Sequence, residues 1–260
     1  MGTASEQGKI WGARAKDWAE ANEPAWEPLY DAVLDRLLIG PGTRLLDIGC
    51  GAGGFLVRAS QRGAEAAGLD ASAKLAEIAR QRLPGSVIET GEMEALPFPN
   101  RAFSLVSGIN SFQFAGDISA ALGQARRVCR EGGRVAMLVW GRREDSDLLA
   151  KVMPAVVALL PKSPPPAAPP PAFAEPGVIE ALMAEAGLAA SESVELPGAL
   201  RFADAATAMR AILSAAARAI RHAGVKTVRR AVAEALAPLT GADGGVVLNN
   251  VFRLSTGFRQ

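Results

Sequence analysis

Cysteine and histidine are scarce in this chain of 260 residues, which has two cysteines, Cys50 and Cys129, and one histidine, His222. A disulfide framework and a zinc cluster built from cysteine and histidine are therefore excluded, and we predict no metal site. A hydrolase with a serine–histidine–aspartate triad would have to use His222 as its base.

Long apolar runs and an excess of one charge are also missing. Runs such as Val135–Trp140 are far shorter than the roughly 18 residues that suggest a membrane span. Residues 1–18 carry charges throughout and lack the apolar core of a signal peptide. The net charge is +1, so the overall basic character of many nucleic-acid-binding proteins is absent. We expect a cytoplasmic protein with no membrane span and no nucleic-acid partner, and the oligomeric state stays open.

The chain has enough apolar sequence for a large core, at 49% of its residues. Short apolar runs alternate with amphipathic segments up to Gly141. These runs predict five strands, at 43–48, 65–70, 86–90, 102–108 and 134–140, with a helix after the first, second and fourth. Strands that alternate with helices pair in parallel through right-handed crossovers, so the predicted fold class is α/β with an open sheet.

The segments on either side of this alternation are more helical. Residues 9–38 have helical periodicity, with Pro24 and Pro28 predicted to divide the stretch into two helices. The proline-rich stretch 161–172 predicts a stiff linker or the edge of a lid, with a PxxP docking site as the alternative. Beyond Gly141 the pattern predicts helices at 142–160, 178–187, 204–223 and 225–236, and strands at 191–197 and 245–259.

A glycine-rich loop joins the first strand to the first helix of the alternation, in the sequence LLDIGCGAGGF at 45–55. Its glycines fit the G-x-G-x-x-G spacing of a dinucleotide site, and Asp70 ends the next strand, where it could bind a ribose. Any adenosine ligand offers that ribose. Asp47, two residues before the first glycine, would repel a pyrophosphate and favour a ligand with an ammonium or sulfonium group. S-adenosylmethionine has both groups and no phosphate.

A third element follows the third strand, in the sequence GEMEALPF at 91–98. The carboxylate of Glu92 could accept a hydrogen bond from an adenine amino group, and Met93 could pack on the ring. Alone this is a weak signal, because a loop glutamate is usually a solvated charge. In order and spacing with the glycine loop and Asp70, it indicates an adenosine site.

In LLDIGCGAGGF, in GLDAS at 68–72 and in GEMEALPFPNRAFSLVSGINSFQF at 91–114, the chain resembles a class I S-adenosylmethionine-dependent methyltransferase. Within that family it is most similar to the group of the ubiquinone/menaquinone methyltransferases. The resemblance covers about residues 40–141. It implies a Rossmann-like, mostly parallel seven-stranded sheet that ends in an antiparallel hairpin (191–197 and 246–257), with helices on both faces and a helical cap.

The resemblance also implies which residues bind S-adenosylmethionine. Gly49 and Gly51 would line its methionine part, Asp70 the ribose, and Glu92 with Met93 the adenine, although the family more often has Asp and a small residue at these last two positions. An N-terminal helix with Trp11, Arg14 and Trp18 would close over the cofactor. The full predicted set is Trp11, Arg14, Asp47, Gly49, Cys50, Gly51, Asp70, Ala71, Glu92, Met93, Ser107 and Asn110.

Three regions follow from this resemblance. Residues 1–38 would be the N-terminal helices over the cofactor, and 39–141 the cofactor-binding core. Residues 142–260 would complete the sheet (about 177–197 and 245–259) and add a helical substrate cap (about 142–176 and 200–240).

The predicted reaction is methyl transfer from S-adenosylmethionine to a small organic molecule by in-line displacement, in which the protein mainly binds and aligns. No general base is evident, and His222 and Tyr30 are weak candidates. An NAD(P)-dependent oxidoreductase and a nonenzymatic S-adenosylmethionine-binding protein are the alternatives. Adenine or glutamine methylation is disfavoured because residues 110–113 are Asn-Ser-Phe-Gln rather than Asn-Pro-Pro-aromatic.

Overall fold

The computed structural model describes residues 2–161 and 173–260, so the proline-rich stretch lies, apart from Pro161, outside the described residues. All five strands predicted before Gly141 form, because each is a short apolar run bounded by turn residues. The strands are β1 (Arg44–Ile48), β2 (Glu65–Asp70), β3 (Val87–Thr90), β4 (Phe103–Ile109), β5 (Cys129–Trp140), β6 (Leu188–Pro197), β7 (Leu200–Phe202), β8 (Val246–Leu248) and β9 (Val251–Arg259).

Seven of these strands form one sheet in the order β3-β2-β1-β4-β5-β9-β6. The first five strands of that order are parallel, and β9 runs antiparallel between β5 and β6. The predicted mostly parallel sheet with a C-terminal antiparallel hairpin is thereby confirmed. The strand order reverses between β1 and β4, and in open α/β sheets this point opens a crevice at the carboxyl ends of the strands.

Helices cover both faces of the sheet. They are α1 (Ala4–Trp11), α2 (Ala15–Asp17), α3 (Glu23–Arg36), α4 (Gly54–Gln61), α5 (Ala73–Arg82), α6 (Ile118–Val128), α7 (Met153–Val157), α8 (Val178–Glu185), α9 (Ala205–Ala215), α10 (Ala217–Ala223) and α11 (Val225–Leu236). Alternate residues of each strand point to opposite faces. Leu45 therefore packs with α3, α4, α5, α9 and α11, whereas its neighbour Leu46 packs with α6 and α8. No helix in the described part of the chain has the length and apolar character to cross a membrane.

The prediction of a single strand at 245–259 is wrong, because the strand is interrupted at Asn249 and Asn250. Residues before this point form β8, which pairs with β7 in a separate two-stranded sheet, and residues after it form β9. The buried Asn250 amide donates to the carbonyl oxygens of Leu248 and Gly198 and accepts from Ser146 Oγ at 2.7 Å. The Asn250 side chain thus forms hydrogen bonds with backbone carbonyl groups beside the break, which competes with continuous strand pairing at this point.

The helix predicted at 204–223 is also interrupted, at Ala216, which separates α9 from α10. The carbonyl oxygen of Ala211 accepts from Ser214 Oγ (2.6 Å) and from Asn22 Nδ2 (3.0 Å). Side chains that bond helix carbonyls in this way bend or end a helix.

Two further helical predictions need correction. Pro28 does not divide the N-terminal stretch, because α3 runs through it and Pro24 lies in the first turn, where a missing N–H costs nothing. The predicted helix at 142–160 is instead a 3-10 turn (Arg143–Asp145), a π-helical turn (Leu148–Val152) and the short α7.

Candidate cofactor site

The glycine loop turns back sharply at the carboxyl end of β1. The N–H groups of Gly49 and Cys50 both donate to the carbonyl oxygen of Leu69, at 2.7 and 3.0 Å. Gly49 has φ of +77°, and a Cβ on it would lie 2.4 Å from the Cβ of Ser111. Glycine is therefore required here both by backbone conformation and by space, and the loop lies against the segment that follows β4.

Asp70, at the end of β2, is tied to this loop. One carboxylate oxygen accepts from the Gly51 N–H at 2.8 Å, and the other accepts from the Ser72 N–H at 2.7 Å. Burial raises the pKa of Asp70, and these two hydrogen bonds oppose the rise. Each carboxylate oxygen can accept a second hydrogen bond, so the oriented side chain can still bind a hydroxyl.

Asp47 lies under the loop with 1% of its surface exposed. Its carboxyl accepts from Ser107 Oγ, on the adjacent strand β4, at 2.6 Å. Burial raises the pKa of Asp47 to about 8, the Ser107 hydrogen bond opposes this, and the negative charges of Asp70 and Glu23 add to it. At neutral pH the group is therefore mostly protonated, and a cation placed beside it would favour the charged form.

Glu23 is a residue of the site that the sequence did not indicate. Its carboxylate accepts from the Ala52 N–H of the glycine loop (2.8 Å), from Trp18 Nε1 (3.2 Å) and from Arg82 (2.6 Å). Burial raises the pKa of Glu23, and the Arg82 guanidinium opposes the rise. The sequence signal, a glutamate in the first turn of a helix, is too common to have identified this contact.

These residues fit a positively charged ligand better than a phosphate. Asp47, Asp70 and Glu23 surround the glycine turn, and the charges of the last two act on Asp47. Ser111 lies close to Gly49, and Glu23 and Trp18 lie close to Gly51, so a side chain at either glycine would collide with them. A sulfonium or ammonium group would be attracted by the charges of Asp70 and Glu23 and would favour ionisation of Asp47, whereas a pyrophosphate would be repelled.

Of the two residues predicted to contact adenine, Glu92 lies under the N-terminal helix. It accepts from the Ala4 N–H, in the first turn of α1, at 2.8 Å. Met93 is partly buried against the core on the α6 face. Ala71, a further predicted cofactor-binding residue, is half-buried, and its carbonyl oxygen faces Gly8 of α1. Glu92 and Ala71 are therefore both covered by α1.

The methionine-side residues follow β4. Asn110 has φ of +58°, and its N–H donates to the Leu138 carbonyl at 2.8 Å. Its side-chain oxygen accepts from Gln113 Nε2 at 3.0 Å. Cys50 is buried, and burial raises the pKa of its thiol well above the ordinary value, so this cysteine is a spacer in the loop rather than a nucleophile.

Trp11 and Trp18 pack against a small cluster that includes Ala52 of the glycine loop. The Trp11 ring makes edge-to-face contacts with Trp18 and Phe114, each with 5.2 Å between ring centroids. Arg14 forms an ion pair with Asp17, and its Nε is buried without a hydrogen-bond partner among the described residues. The pairing of Arg14 with a cofactor carboxylate stays a prediction.

Neither weak base candidate is arranged as a general base. His222 is exposed on α10. Tyr30 is buried beside the rings of Trp26 and Phe55. Burial raises the pKa of Tyr30 well above its ordinary value, which keeps the phenol protonated.

Comparison with known proteins agrees with this geometry. Residues 46–137 match the family model of a methyltransferase domain. Over 93 residues the chain is 36% identical to the malonyl-[acyl-carrier protein] O-methyltransferase of Serratia marcescens, which covers 36% of each protein. Such matches span between 32% and 50% of the length of the first curated relatives.

Solved structures match over most of the chain. The YcgJ protein of Bacillus subtilis has a TM-score of 0.57 at 17% identity and covers 89% of this chain and 97% of its own. Geranyl diphosphate C-methyltransferase of Streptomyces coelicolor has a TM-score of 0.53 at 19% identity and covers 90% of this chain and 76% of its own. The latter was solved with S-adenosyl-L-homocysteine.

The cofactor that corresponds to such a domain is S-adenosyl-L-methionine, in agreement with the three carboxylates around the loop. Residues 46–137 therefore match a methyltransferase domain, and the described chain has the Rossmann-like fold of S-adenosylmethionine-dependent methyltransferases.

Proposed function

We propose that this protein transfers the methyl group of S-adenosylmethionine to a small organic molecule. The observation that carries the proposal is the arrangement at the switch point of the sheet. There the glycine turn is bonded to Asp70 and lies directly above the buried Asp47. This arrangement offers a ribose acceptor and a partner for a cation, the two things that S-adenosylmethionine requires.

The chain's own residues would bind and orient the cofactor. Asp70 would accept from the ribose hydroxyls while Gly51 and Ser72 hold its carboxylate in place. Asp47 would face the positive charge, and Glu92 would accept from the adenine amino group. Gly49 and Gly51 would supply the backbone beside the methionine part. The cofactor supplies an activated methyl group with its own leaving group, so catalysis rests on alignment and exclusion of water.

The proposed domain roles follow the predicted boundaries. Residues 39–141 would bind the cofactor and 1–38 would cover it. The described parts of the predicted cap segments, 142–161, 173–176 and 200–240, would cover the acceptor. The cap face that meets the sheet is apolar and includes Met153, Leu160 and Met209. An apolar acceptor of low molecular weight fits such a cap better than a polymer.

The names of matched proteins support the same substrate class. One methylates a malonyl group on an acyl carrier protein, and another methylates geranyl diphosphate. The narrower resemblance to the ubiquinone/menaquinone methyltransferases stays a prediction.

One alternative is separated from the proposal by ligand binding and the other by a transfer assay. An NAD(P)-dependent oxidoreductase would place a pyrophosphate at the glycine turn, where Asp47 and Asp70 oppose it. A nonenzymatic S-adenosylmethionine-binding protein would keep the same site and lack transfer.

The first experiment is calorimetric titration of the purified protein with S-adenosylhomocysteine, NAD and NADP. We expect micromolar binding of S-adenosylhomocysteine alone. The Asp70→Asn variant should lose most of this affinity, and Asp145→Asn, which changes an exposed aspartate far from the loop, should keep it. Binding of a dinucleotide alone would overturn the proposal.

The second experiment tests transfer, with a radiolabelled methyl group and a panel of small phenols, quinones and carboxylic acids. We expect labelled product from at least one apolar acceptor. Tight cofactor binding without transfer to any acceptor in the panel would favour the nonenzymatic alternative.

A further inference from the structure

Helix α1 lies directly on the edge of the sheet that is proposed to bind adenosine. A Cβ on Gly8 would lie 2.2 Å from the carbonyl oxygen of Ala71, and a Cβ on Gly12 would lie 2.6 Å from Ser72 Oγ. These are contacts of helix backbone with the segment that follows Asp70. They leave no room for a ligand atom between α1 and this segment.

The polar contacts of α1 fall on the same edge. The Ala4 N–H donates to the Glu92 carboxylate at 2.8 Å, and Thr3 Oγ1 donates to the carbonyl oxygen of Phe114 at 2.7 Å. The first turn of α1 thus occupies the carboxylate that is proposed to accept from adenine. Asp70 is correspondingly only 7% exposed, although an open cofactor cleft would leave it accessible.

Few contacts hold α1 on this edge. Ile10 is buried, and the partly buried Trp11 ring packs edge-to-face on two neighbouring rings. The two hydrogen bonds described above and an exposed ion pair between Glu6 and Arg218, at 3.4 Å, add to these contacts. Two apolar side chains, two hydrogen bonds and one exposed ion pair stabilise a docked helix less than a continuous buried face would.

The chain after α1 is held much more firmly. Ala15 and Ala19 are buried against Ala52 and Leu75. Arg210 on α9 forms ion pairs with Asp17 and Glu20, each at 2.9 Å. Between these two parts lies a 3-10 turn, Gly12–Arg14, whose last residue has φ −135° and ψ 45°. This turn is where α1 can swing while residues 15–22 stay in place.

We propose that α1 is an intramolecular competitor of the cofactor, which occupies the adenosine side of the cleft and is displaced when S-adenosylmethionine binds. This inference rests on the proposed function, and it narrows the cover of the bound cofactor from residues 1–38 to residues 12–38, without Trp11. The free energy that undocks α1 is subtracted from the binding free energy, so the observed affinity is lower than the intrinsic affinity of the open cleft.

The test variant is Gly8→Ala, in which the added methyl group overlaps the Ala71 carbonyl. The matched control is Gly123→Ala on α6, where a Cβ would meet nothing within 4 Å. Both changes raise helix propensity, so a difference between them reports the contact at Ala71. Because overpacking destabilises the docked state, we expect Gly8→Ala to bind S-adenosylhomocysteine roughly tenfold more tightly, and Gly123→Ala to bind like the wild type.

A second variant guards against misfolding of the first. Arg218→Gln removes the exposed ion pair to Glu6 without adding an atom to the interface. We expect it to tighten binding in the same direction by about twofold, in line with the strength of exposed ion pairs.

A second readout does not depend on affinity. Hydrogen exchange of the α1 amides should become faster when the wild type is saturated with S-adenosylhomocysteine, because the helix leaves its docked position. Slower exchange, or weaker binding by Gly8→Ala, would overturn the proposal and make α1 part of the bound site. Equal affinities of wild type, Gly8→Ala and Arg218→Gln would also overturn it. If no variant binds S-adenosylhomocysteine although hydrogen exchange shows that α1 is released in Gly8→Ala, the proposed function itself is overturned, and the competitor role with it.

Discussion

Replacing Asp47 by asparagine is predicted to stabilise this protein while weakening its cofactor site. The side chain is 1% exposed, and its pKa rises from the ordinary 3.8 to about 8 because burial disfavours the charge. Asparagine has nearly the same shape and carries no charge. The Ser107 hydroxyl can donate or accept, so it can rotate to satisfy the new amide.

The magnitude follows from the difference in pKa between the folded and unfolded chain. Above about pH 4 the unfolded chain carries Asp47 ionised, whereas the folded protein keeps it protonated up to about pH 8. Unfolding therefore releases a proton in this window, and stability falls by about 1.4 kcal/mol for each unit of rising pH. The accumulated loss is about 4 kcal/mol at pH 7 and roughly a third of that at pH 5.

Thermal unfolding between pH 5 and pH 8 measures this loss. For a chain of this size 1 kcal/mol corresponds to about 2–4 °C, so Asp47→Asn should unfold on the order of 10 °C higher at pH 7. The gap to the wild type should shrink as the pH falls towards 5. The control Asp145→Asn, at an exposed position, should show no such trend.

A gap that does not change with pH, or a variant less stable than the wild type at pH 7, would refute the reasoning. The same variant should bind S-adenosylmethionine about tenfold more weakly, because one charge-assisted contact to the cation is lost. Its affinity for S-adenosylhomocysteine, which lacks the sulfonium charge, should fall less.

Two further predictions concern the loop. Glu23→Ala should lower the free energy of unfolding in urea by about 3–5 kcal/mol, because it removes the buried partner of the Arg82 guanidinium and the Ala52 N–H. The control Glu27→Ala, at an exposed position, should lower it by under about 1 kcal/mol. Equal losses for the two variants would contradict the buried contact. Gly49→Ala should lower the free energy of unfolding by about 2–4 kcal/mol, because the residue has positive φ and the added Cβ overlaps Ser111. Gly42→Ala, at φ +83° with open space around it, should lose only the conformational part of this energy. Comparable losses for the two variants would contradict the steric argument.

Much of the site was accessible from the sequence because its signals are local. The glycine turn, Asp47 before it and Asp70 after the next strand all lie within one strand–helix–strand unit, and the hydrogen bond from Gly51 to Asp70 spans 19 residues. In such a unit, the glycines with positive φ set the turn, and the parallel crossover places Asp47 and Asp70 at the carboxyl ends of adjacent strands. The parallel pairing of the first five strands followed from the same alternation.

Predictions failed where side chains form hydrogen bonds with residues that are far away in the sequence. The break of the last strand at Asn250 depends on Ser146, 104 residues away, and the end of α9 depends on Asn22. The hydrophobic periodicity of a segment does not depend on such distant contacts. It therefore predicted one continuous element for each of the segments 245–259 and 204–223.

The sequence by itself determined the strand–loop–helix unit, its acids and the class of ligand that they suit, since neighbouring residues and the sheet period set these features. Tertiary structure alone decided that Glu23 supports the loop across 29 residues and that α1 lies against Glu92 across 88 residues. Those contacts depend on how independently formed helices dock on the sheet edge. Many arrangements of the same helices would bury similar small apolar surfaces, so the sequence pattern alone does not select the one that forms.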